Sequence, residues 1–162
     1  MPQGLNVVLV RPEIPPNTGN VGRLCVATGS RLHLVGPLGF EINDARLRRA
    51  GLDYWPWLER VDHPHLEAFL ENLPPEAPLA LFSRKASRDL YDCRFRPGQY
   101  LIFGNETSGL PGALTRRFPE QLYRIPMFDE RVRSLNLSTA VGIAVYEALR
   151  QLEFVRREIQ RG

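Results

Sequence analysis

The chain of 162 residues is 43% hydrophobic and 24% charged, with a formal net charge of +3 and two cysteines. A chain of this length folds as one domain that buries roughly 70% of its unfolded surface, so its core needs no disulfide or structural metal. No apolar run approaches the ~18 residues of a membrane span, and the first residues lack the regions of a signal peptide. Cys25 and Cys93 lie far apart in a sequence without a CxxC pair, so neither a zinc site nor a disulfide scaffold is indicated. We therefore expect a protein without metal in a reducing cytoplasm.

The basic residues are unevenly divided between the two types. Of the 21 lysine and arginine residues, only Lys85 is lysine. The excess positive charge favours an anionic partner such as a nucleic acid. A codon bias toward arginine would give the same composition without any functional meaning, so the total alone leaves both interpretations open.

The first half of the chain predicts strands that alternate with helices. An apolar strand over 5–10 precedes the proline-rich turn 11–16, which we expect to be non-helical. Asn17 or Thr18 is then the predicted cap of a helix that runs to Thr28 and ends at Gly29. The next predicted elements are a strand over 32–35, a basic helix over 44–50 with Asp44 as its cap and Gly51 as its stop, and a helix over 63–73.

The second half continues the alternation. Strands are predicted over 79–83, 100–103 and 123–125, and a long amphipathic helix over 137–156. Strands that alternate with helices are typical of an α/β fold with a parallel sheet, and no repeat or linker divides the chain. We therefore expect residues 1–162 to form one domain.

Several common kinds of site are not indicated. His63 and His65 lie two residues apart without a carboxylate cluster, so we expect surface histidines rather than metal ligands. Cys25 falls in an apolar helical stretch, where a buried structural thiol is expected. The sequence has no GxSxG, HExxH or GxxxxGK[ST] motif, and Gly19–Gly22 is only a GxxG far from the strand end.

Three segments have an unusual composition. They are 17–23, 101–111, and 125–127 together with 133–138, and each is rich in glycine, asparagine or small hydroxyl residues. Each is predicted at the carboxyl end of a strand, where α/β sheets bind ligands. Glycine and small side chains at such positions allow backbone groups to approach a ligand closely.

These segments resemble the three motifs of the SPOUT superfamily of S-adenosylmethionine-dependent RNA methyltransferases, in its SpoU branch of ribose 2′-O-methyltransferases. The stretches 12–20, 46–54 and 145–151 resemble one subgroup, the minimal single-domain tRNA methyltransferases of the wobble nucleotide, cytidine or modified uridine. The resemblance covers residues 4–154. It implies a Rossmann-like α/β fold with a C-terminal trefoil knot, a homodimer, a tRNA substrate, and S-adenosylhomocysteine as a product.

The resemblance also implies which residues form the site. Its motifs place catalytic roles on Arg23, Asn17, Glu106, Ser134 and Asn136. The implied cofactor contacts are Phe82, Ser83, Gly104, Asn105, Glu106, Gly109, Ile125, Met127, Ser134, Leu135, Asn136 and Ser138. Adenine needs an apolar slot, which Ile125, Leu135 and Leu110 would form, and the Glu106 carboxylate would favour the cationic sulfonium.

Arg23 occupies the position of the arginine to which the family assigns activation of the ribose hydroxyl. Because an arginine side chain stays protonated in proteins, we expect Arg23 to hold the RNA phosphate and to stabilise the developing alkoxide rather than to accept the proton. The predicted RNA-binding residues are Arg46, Arg48, Arg49, Arg84, Lys85, Arg131 and Arg133. Tyr54, Trp55 and Trp57 either contact RNA or pack in the core or dimer interface. Arg156, Arg157 and Arg161 are expected to form a solvated helix end.

Two alternatives remain at this point. The first is a SPOUT methyltransferase that acts on another tRNA or ribosomal RNA site, since the motifs do not specify the nucleotide. The second is a relative that binds RNA but has lost catalysis. The presence of Asn17, Arg23, Glu106, Ser134 and Asn136 argues against the second alternative.

Overall fold

The computed structural model describes residues 4–43, 45–51 and 54–162, apart from the side chains of residues 48, 50, 51 and 154–159. The described strands are β1 (Asn6–Val10), β2 (Arg31–Val35), β3 (Arg60–His63), β4 (Leu79–Phe82), β5 (Tyr100–Phe103) and β6 (Leu122–Tyr123). The described α-helices are α1 (Pro15–Thr28), α2 (Ala45–Gly51), α3 (Leu66–Asn72), α4 (Gly112–Arg117) and α5 (Leu137–Arg161).

The six strands form one parallel sheet in the order β3-β2-β1-β5-β4-β6. β1 lies beside both β2 and β5, with Asn6 opposite Tyr100 and Leu9 opposite Phe103 on the β5 side. Every residue of β1 is buried, as expected for a strand covered by helices on both faces. The predicted α/β fold with a parallel sheet is confirmed.

Helices cover the two faces of the sheet and divide the core. α1 and α5 pack on one face, where Cys25 joins Val141 and Val145 among the buried side chains. α3 and α4 pack on the other face through Phe69 and Leu114. Burial raises the pKa of the Cys25 thiol to about 12, so this side chain is the structural thiol that its apolar surroundings predict.

The start of α1 differs from the prediction. The helix begins at Pro15 with Ile14 as its cap residue, so Pro15 and Pro16 are helical and Asn17 lies in the first turn. Proline suits the first helical positions because its fixed φ is helical and its missing N–H would have had no partner within the helix. The expectation of a non-helical 11–16 segment was wrong for its last two residues.

A strand was also missed, and with it the environment of one histidine. Arg60–His63 forms β3, so helix α3 begins only at Leu66, with the His65 side chain accepting a hydrogen bond from the Ala68 N–H. His63 is 7% exposed, which contradicts the surface position expected for it, whereas His65 is exposed. β3 is short and its side chains are alternately exposed and buried, so it lacks the apolar run that identified the other strands.

The remaining differences are small. α4 was not predicted, β6 is two residues long and ends before Ile125, α2 continues through the predicted stop Gly51, and α5 continues to Arg161. Asp44, the predicted cap of α2, lies outside the described residues, as do the side chains of Arg156 and Arg157. Over the described part of the chain, no helix is both long and apolar enough to cross a membrane.

Candidate active site

The site forms where the strand order reverses. β1 and β5 are neighbours and run parallel, so their carboxyl ends bring the segment that leads into α1 next to the loop that follows Phe103. This is the edge of an open α/β sheet at which ligands bind. The 133–138 segment, which leads into α5, is joined to the first of these by a hydrogen bond from Asn136 to Asn17. The structure therefore brings the three sequence segments together.

The Glu106 carboxylate connects the loop after β5 to the start of α1. It accepts hydrogen bonds from the Glu13 N–H at 2.9 Å, the Ile14 N–H at 3.1 Å and the Asn17 side-chain amide at 3.3 Å. Ile14 has no capping side chain of its own, so Glu106 supplies the cap from a distant loop. A negative charge at a helix N-terminus is also favoured by the helix dipole.

Asn136 connects the third segment to the same point. Its side-chain amide donates to the Asn17 Oδ1 at 3.0 Å. Its own Oδ1 accepts from the Ser138 N–H at 3.0 Å and the Thr139 N–H at 3.3 Å, which caps the first turn of α5. Glu106, Asn17 and Asn136 thus form one hydrogen-bonded chain across the three segments, which we call the edge network.

The loop after β5 is closed tightly on itself. The Asn105 Oδ1 accepts from the N–H groups of Thr107 and Ser108, and Asn105 pairs with Gly109 in an isolated bridge. Any side chain at Gly104 would collide with the Gly109 backbone, and Gly109 has a φ of 69°. Both positions therefore require glycine for the loop to hold this shape.

A cavity of about 810 Å³ opens between these segments. Its walls include every residue predicted to contact the cofactor except Ser138, whose hydroxyl donates instead to the Asn136 Oδ1 at 2.6 Å. The rings of Phe82 and Phe103 stack with centroids 4.8 Å apart, and both residues line the cavity. The volume lies in the range of small-molecule sites in proteins.

The chemistry of the walls fits S-adenosylmethionine. Ile125, Leu135 and Leu110 supply apolar surface that suits adenine, while the Glu106 carboxylate supplies negative charge that suits a sulfonium. Arg84 and Lys85 lie at the same cavity and suit the carboxylate of an amino acid. Among the described residues, no group of three or more histidine, cysteine or acidic side chains is arranged to hold a metal ion.

Arg23 lies elsewhere on α1. It is exposed and does not line the cavity that Asn17 lines, six residues before it on the helix. Ser134, another residue with an implied catalytic role, lines the cavity directly. The structure therefore brings Asn17, Glu106, Ser134 and Asn136 to the cavity of one chain and leaves Arg23 outside it.

The predicted RNA-binding residues have different environments. Arg46, Arg49 and Arg133 are exposed, and the side chain of Arg48 lies outside the described set. The guanidinium of Arg131 is paired with the Asp129 carboxylate at 2.6 Å, so part of its hydrogen-bonding capacity is already used. Arg84 and Lys85 line the cavity and are also exposed.

Sequence reasoning missed some of the lining residues. Phe103, Thr107 and Thr115 line the cavity but were not predicted to contact a ligand. Phe103 ends the predicted strand over 100–103, and Thr107 lies inside the segment 101–111. Their positions in the sequence therefore indicated that both lie near the site. Thr115 lies on α4, a helix that was not predicted, and only the packing of that helix beside the loop places it here.

Comparison with known proteins adds a family match. The family model described as the SpoU rRNA Methylase family matches residues 4–146. The chain is 50% identical over 151 residues to the tRNA (cytidine(34)-2'-O)-methyltransferase of Burkholderia ambifaria. The alignment covers 92% of this chain and 96% of that protein.

Solved structures are similar over the same extent. A structure from work on the 2-OH methylation of C/U34 on tRNA has a TM-score of 0.90 and 50% identity, and the match covers 94% of this chain and 99% of the other. An rRNA methyltransferase from Sinorhizobium meliloti with bound S-adenosylmethionine has a TM-score of 0.84 and 28% identity. That match covers 94% of this chain and 58% of the other.

Proposed function

Because the chain belongs to the SpoU rRNA methylase family, we propose that it is an S-adenosylmethionine-dependent tRNA ribose 2′-O-methyltransferase acting on the wobble nucleotide, cytidine or uridine 34. The observation that carries this proposal is the cavity of about 810 Å³ that the edge network builds from three distant segments. Relatives named for methylation of cytidine 34 match nearly the whole length of the chain, which supports the wobble nucleotide over another RNA site.

The cofactor would be held by the walls of this cavity. Ile125, Leu135 and Leu110 would contact adenine, and Arg84 or Lys85 the carboxylate of the methionine part. When bound, S-adenosylmethionine supplies an activated methyl group, whose bond to sulfur breaks as a bond to the ribose 2′-oxygen forms. Glu106 offers negative charge close to the sulfonium while its carboxylate keeps three N–H groups in place.

Arg23 would act on the RNA rather than on the cofactor. A guanidinium donates hydrogen bonds but does not accept a proton, so Arg23 would bind the phosphate beside the target ribose and stabilise the 2′-oxygen as its proton leaves to solvent. Positioning of this kind supplies several kcal/mol of barrier lowering in enzymes. The exposed Arg46, Arg49 and Arg133 would contact other phosphates.

We include in the proposal a homodimer, a trefoil knot near the C-terminus, a single domain over residues 1–162, and a cytoplasmic setting that matches a tRNA substrate. Arg23 lies outside the cavity of its own chain, which is the arrangement that a site shared between two copies requires. Phe128 and Val132, on the loop before the third segment, are 98% and 53% exposed and offer apolar surface to a second copy.

Mixed dimers test the shared site. Arg23→Ala and Ile125→Trp, which fills the cavity, would each be inactive alone. A mixture of the two chains would regain activity if Arg23 of one copy works at the cavity of the other. Recovery no greater than the sum of the separate activities would contradict a shared site.

The substrate is tested by methylation of total tRNA and of ribosomal RNA with labelled S-adenosylmethionine, followed by mapping of the modified nucleotide. Label on the ribose of nucleotide 34 supports the proposal. Label at another position would contradict nucleotide 34 as the target and identify the target nucleotide. Calorimetry with S-adenosylmethionine distinguishes the proposed enzyme from a relative that has lost catalysis. Absence of binding at millimolar cofactor would identify a relative that binds RNA without catalysis.

A further inference from the structure

The side chain of Arg23 rests on an aromatic ring. Its guanidinium carbon lies 5.0 Å from the centroid of the Tyr54 ring. Within the described part of the chain, the side chain of Arg23 takes part in no ion pair or hydrogen bond, so this ring is the contact that orients its guanidinium. A cation over an aromatic face is attracted by the quadrupole of the ring.

Tyr54 is itself held against α1 by its neighbour. Trp55 packs so closely on Gly22 that a Cβ at Gly22 would lie 2.5 Å from the Trp55 Cζ3. The backbone turns tightly here, with the Trp57 N–H donating to the Tyr54 carbonyl at 3.0 Å. Gly22 of α1 thus contacts Trp55, and the next residue of the helix, Arg23, contacts the adjacent Tyr54.

We propose that Tyr54 is a positioning residue for methyl transfer, which holds the guanidinium of Arg23 by its face and leaves the N–H groups at its edge free for the RNA. This inference rests on the proposed function, in which Arg23 contacts the phosphate and the reacting 2′-oxygen. An ion pair would orient an arginine equally well but would occupy its donors, as Asp129 does for Arg131. A ring fixes the plane of the guanidinium and uses none of its N–H groups.

Direct contact of Tyr54 with RNA is the competing explanation, since the side chain is 38% exposed. The two explanations differ in kinetics. A ring that stacks on a base contributes binding and its loss raises KM, whereas a ring that orients Arg23 contributes in the transition state and its loss lowers kcat.

The experiment measures kcat and KM for tRNA with Tyr54→Phe, Tyr54→Leu and Tyr54→Ala. Tyr54→Phe keeps the aromatic face and should keep wild-type kcat. Tyr54→Leu keeps apolar bulk without that face, and we expect kcat to fall roughly 10- to 100-fold, the size of effect that a small misplacement of a reacting group produces. In Tyr54→Ala, kcat should fall at least as far, while the Kd for S-adenosylmethionine stays unchanged. Tyr91→Ala, at another exposed tyrosine in a short turn, is the matched control and should behave as wild type.

Gly22→Ala provides an independent test with Tyr54 intact. The added methyl group would displace Trp55, and with it the turn that carries Tyr54, so kcat should fall while cofactor binding remains. Wild-type kcat in both Tyr54→Leu and Tyr54→Ala would overturn the inference, as would a change in KM alone. An equal loss in Tyr54→Phe would assign the effect to the hydroxyl instead of the ring. If wild type methylates no tRNA, the proposed function fails, whereas each result that overturns this inference is obtained with an active wild type.

Discussion

Two hydrogen-bonded networks join distant parts of this chain, and their surroundings differ sharply. The edge network of Glu106, Asn17 and Asn136 lines an open cavity. The second network consists of Asn6, His33 and His63 in three neighbouring strands, all at most 9% exposed, and we call it the histidine network. Phe69 of α3 packs against both of its histidine rings.

The hydrogen bonds of the histidine network fix its protons. The Asn6 side-chain amide donates to the Gly98 carbonyl, so its Oδ1 accepts from the His33 Nε2–H at 3.0 Å. His33 Nδ1 therefore carries no proton and accepts from the His63 Nε2–H at 3.0 Å. Burial, together with the neighbouring His63 and Arg31, lowers the pKa of His33 to about 4.

The two networks differ in exposure and in what they do, since Asn136 of the edge network is exposed whereas every member of the histidine network is buried. In the edge network, the Glu106 carboxylate accepts hydrogen bonds from the N–H groups of Glu13 and Ile14 at the start of α1, and the network lines the cavity. The histidine network stays neutral, faces Phe69 and Tyr100, and reaches no cavity residue. We therefore expect changes in the first to alter methylation and changes in the second to alter stability alone.

The largest effect is expected for Arg23→Ala, which leaves both networks intact. Loss of the donor to the phosphate and the developing alkoxide should lower kcat on the order of 100- to 1000-fold, without changing the Kd for S-adenosylmethionine or the free energy of unfolding. Arg31→Ala, at an exposed arginine paired with Glu59, is the control and should stay active. Wild-type turnover in Arg23→Ala would remove Arg23 from the reaction.

Breaking the edge network at its charged member should alter both binding and stability. Glu106→Ala removes the acceptor that caps the N–H groups of Glu13 and Ile14, and we expect it to lower the free energy of unfolding by about 2 kcal/mol and to weaken cofactor binding. Denaturant unfolding and calorimetry measure the two effects. Glu120→Ala serves as a control at an exposed glutamate. Unchanged cofactor affinity in Glu106→Ala would show that the edge network does not shape the cavity.

The histidine network predicts a pH dependence of stability. The pKa of His33 is lower in the folded state than the usual 6.5, so the unfolded state binds more protons and stability falls as pH falls through this range. We expect a loss of about 2 kcal/mol between pH 7.5 and pH 5. His65→Ala, which removes an exposed histidine, should keep this slope, and His33→Asn should reduce it. A flat profile over this range for wild type would contradict the neutral buried pair.

The smallest effect tests the contact between the first and third segments. Asn17→Ala and Asn136→Ala in a double-mutant cycle should show a coupling energy of about 1 kcal/mol in unfolding, because each variant removes the same hydrogen bond. Asn72→Ala combined with Asn17→Ala is the matched control, since the Asn72 side chain donates to the Ala68 carbonyl within α3 and should show no coupling to Asn17. Additive effects of Asn17→Ala and Asn136→Ala would mean that the edge network is not continuous.

Much of this architecture was predictable because its signals are local. The apolar strands at 5–10 and 100–103 and the glycine at the end of α1 identify themselves by periodicity and turn chemistry. β3 was missed because its burial depends on α3 and β2 rather than on its own composition. His63 was misplaced for the same reason, since a histidine is buried only where a partner such as His33 satisfies its ring.

The sequence by itself determined every described strand except β3, the parallel sheet, and the three segments rich in glycine and polar side chains from which the site is built. Only the tertiary structure decided how those segments meet. The hydrogen bond between Asn17 and Glu106 spans 89 positions of sequence and that between Asn17 and Asn136 spans 119, so neither leaves a local pattern. The same holds for Glu106, whose carboxylate caps a helix that begins 91 positions earlier, and for Tyr54, whose ring lies under Arg23. Local patterns specify elements, whereas the order of strands in the sheet brings their ends together.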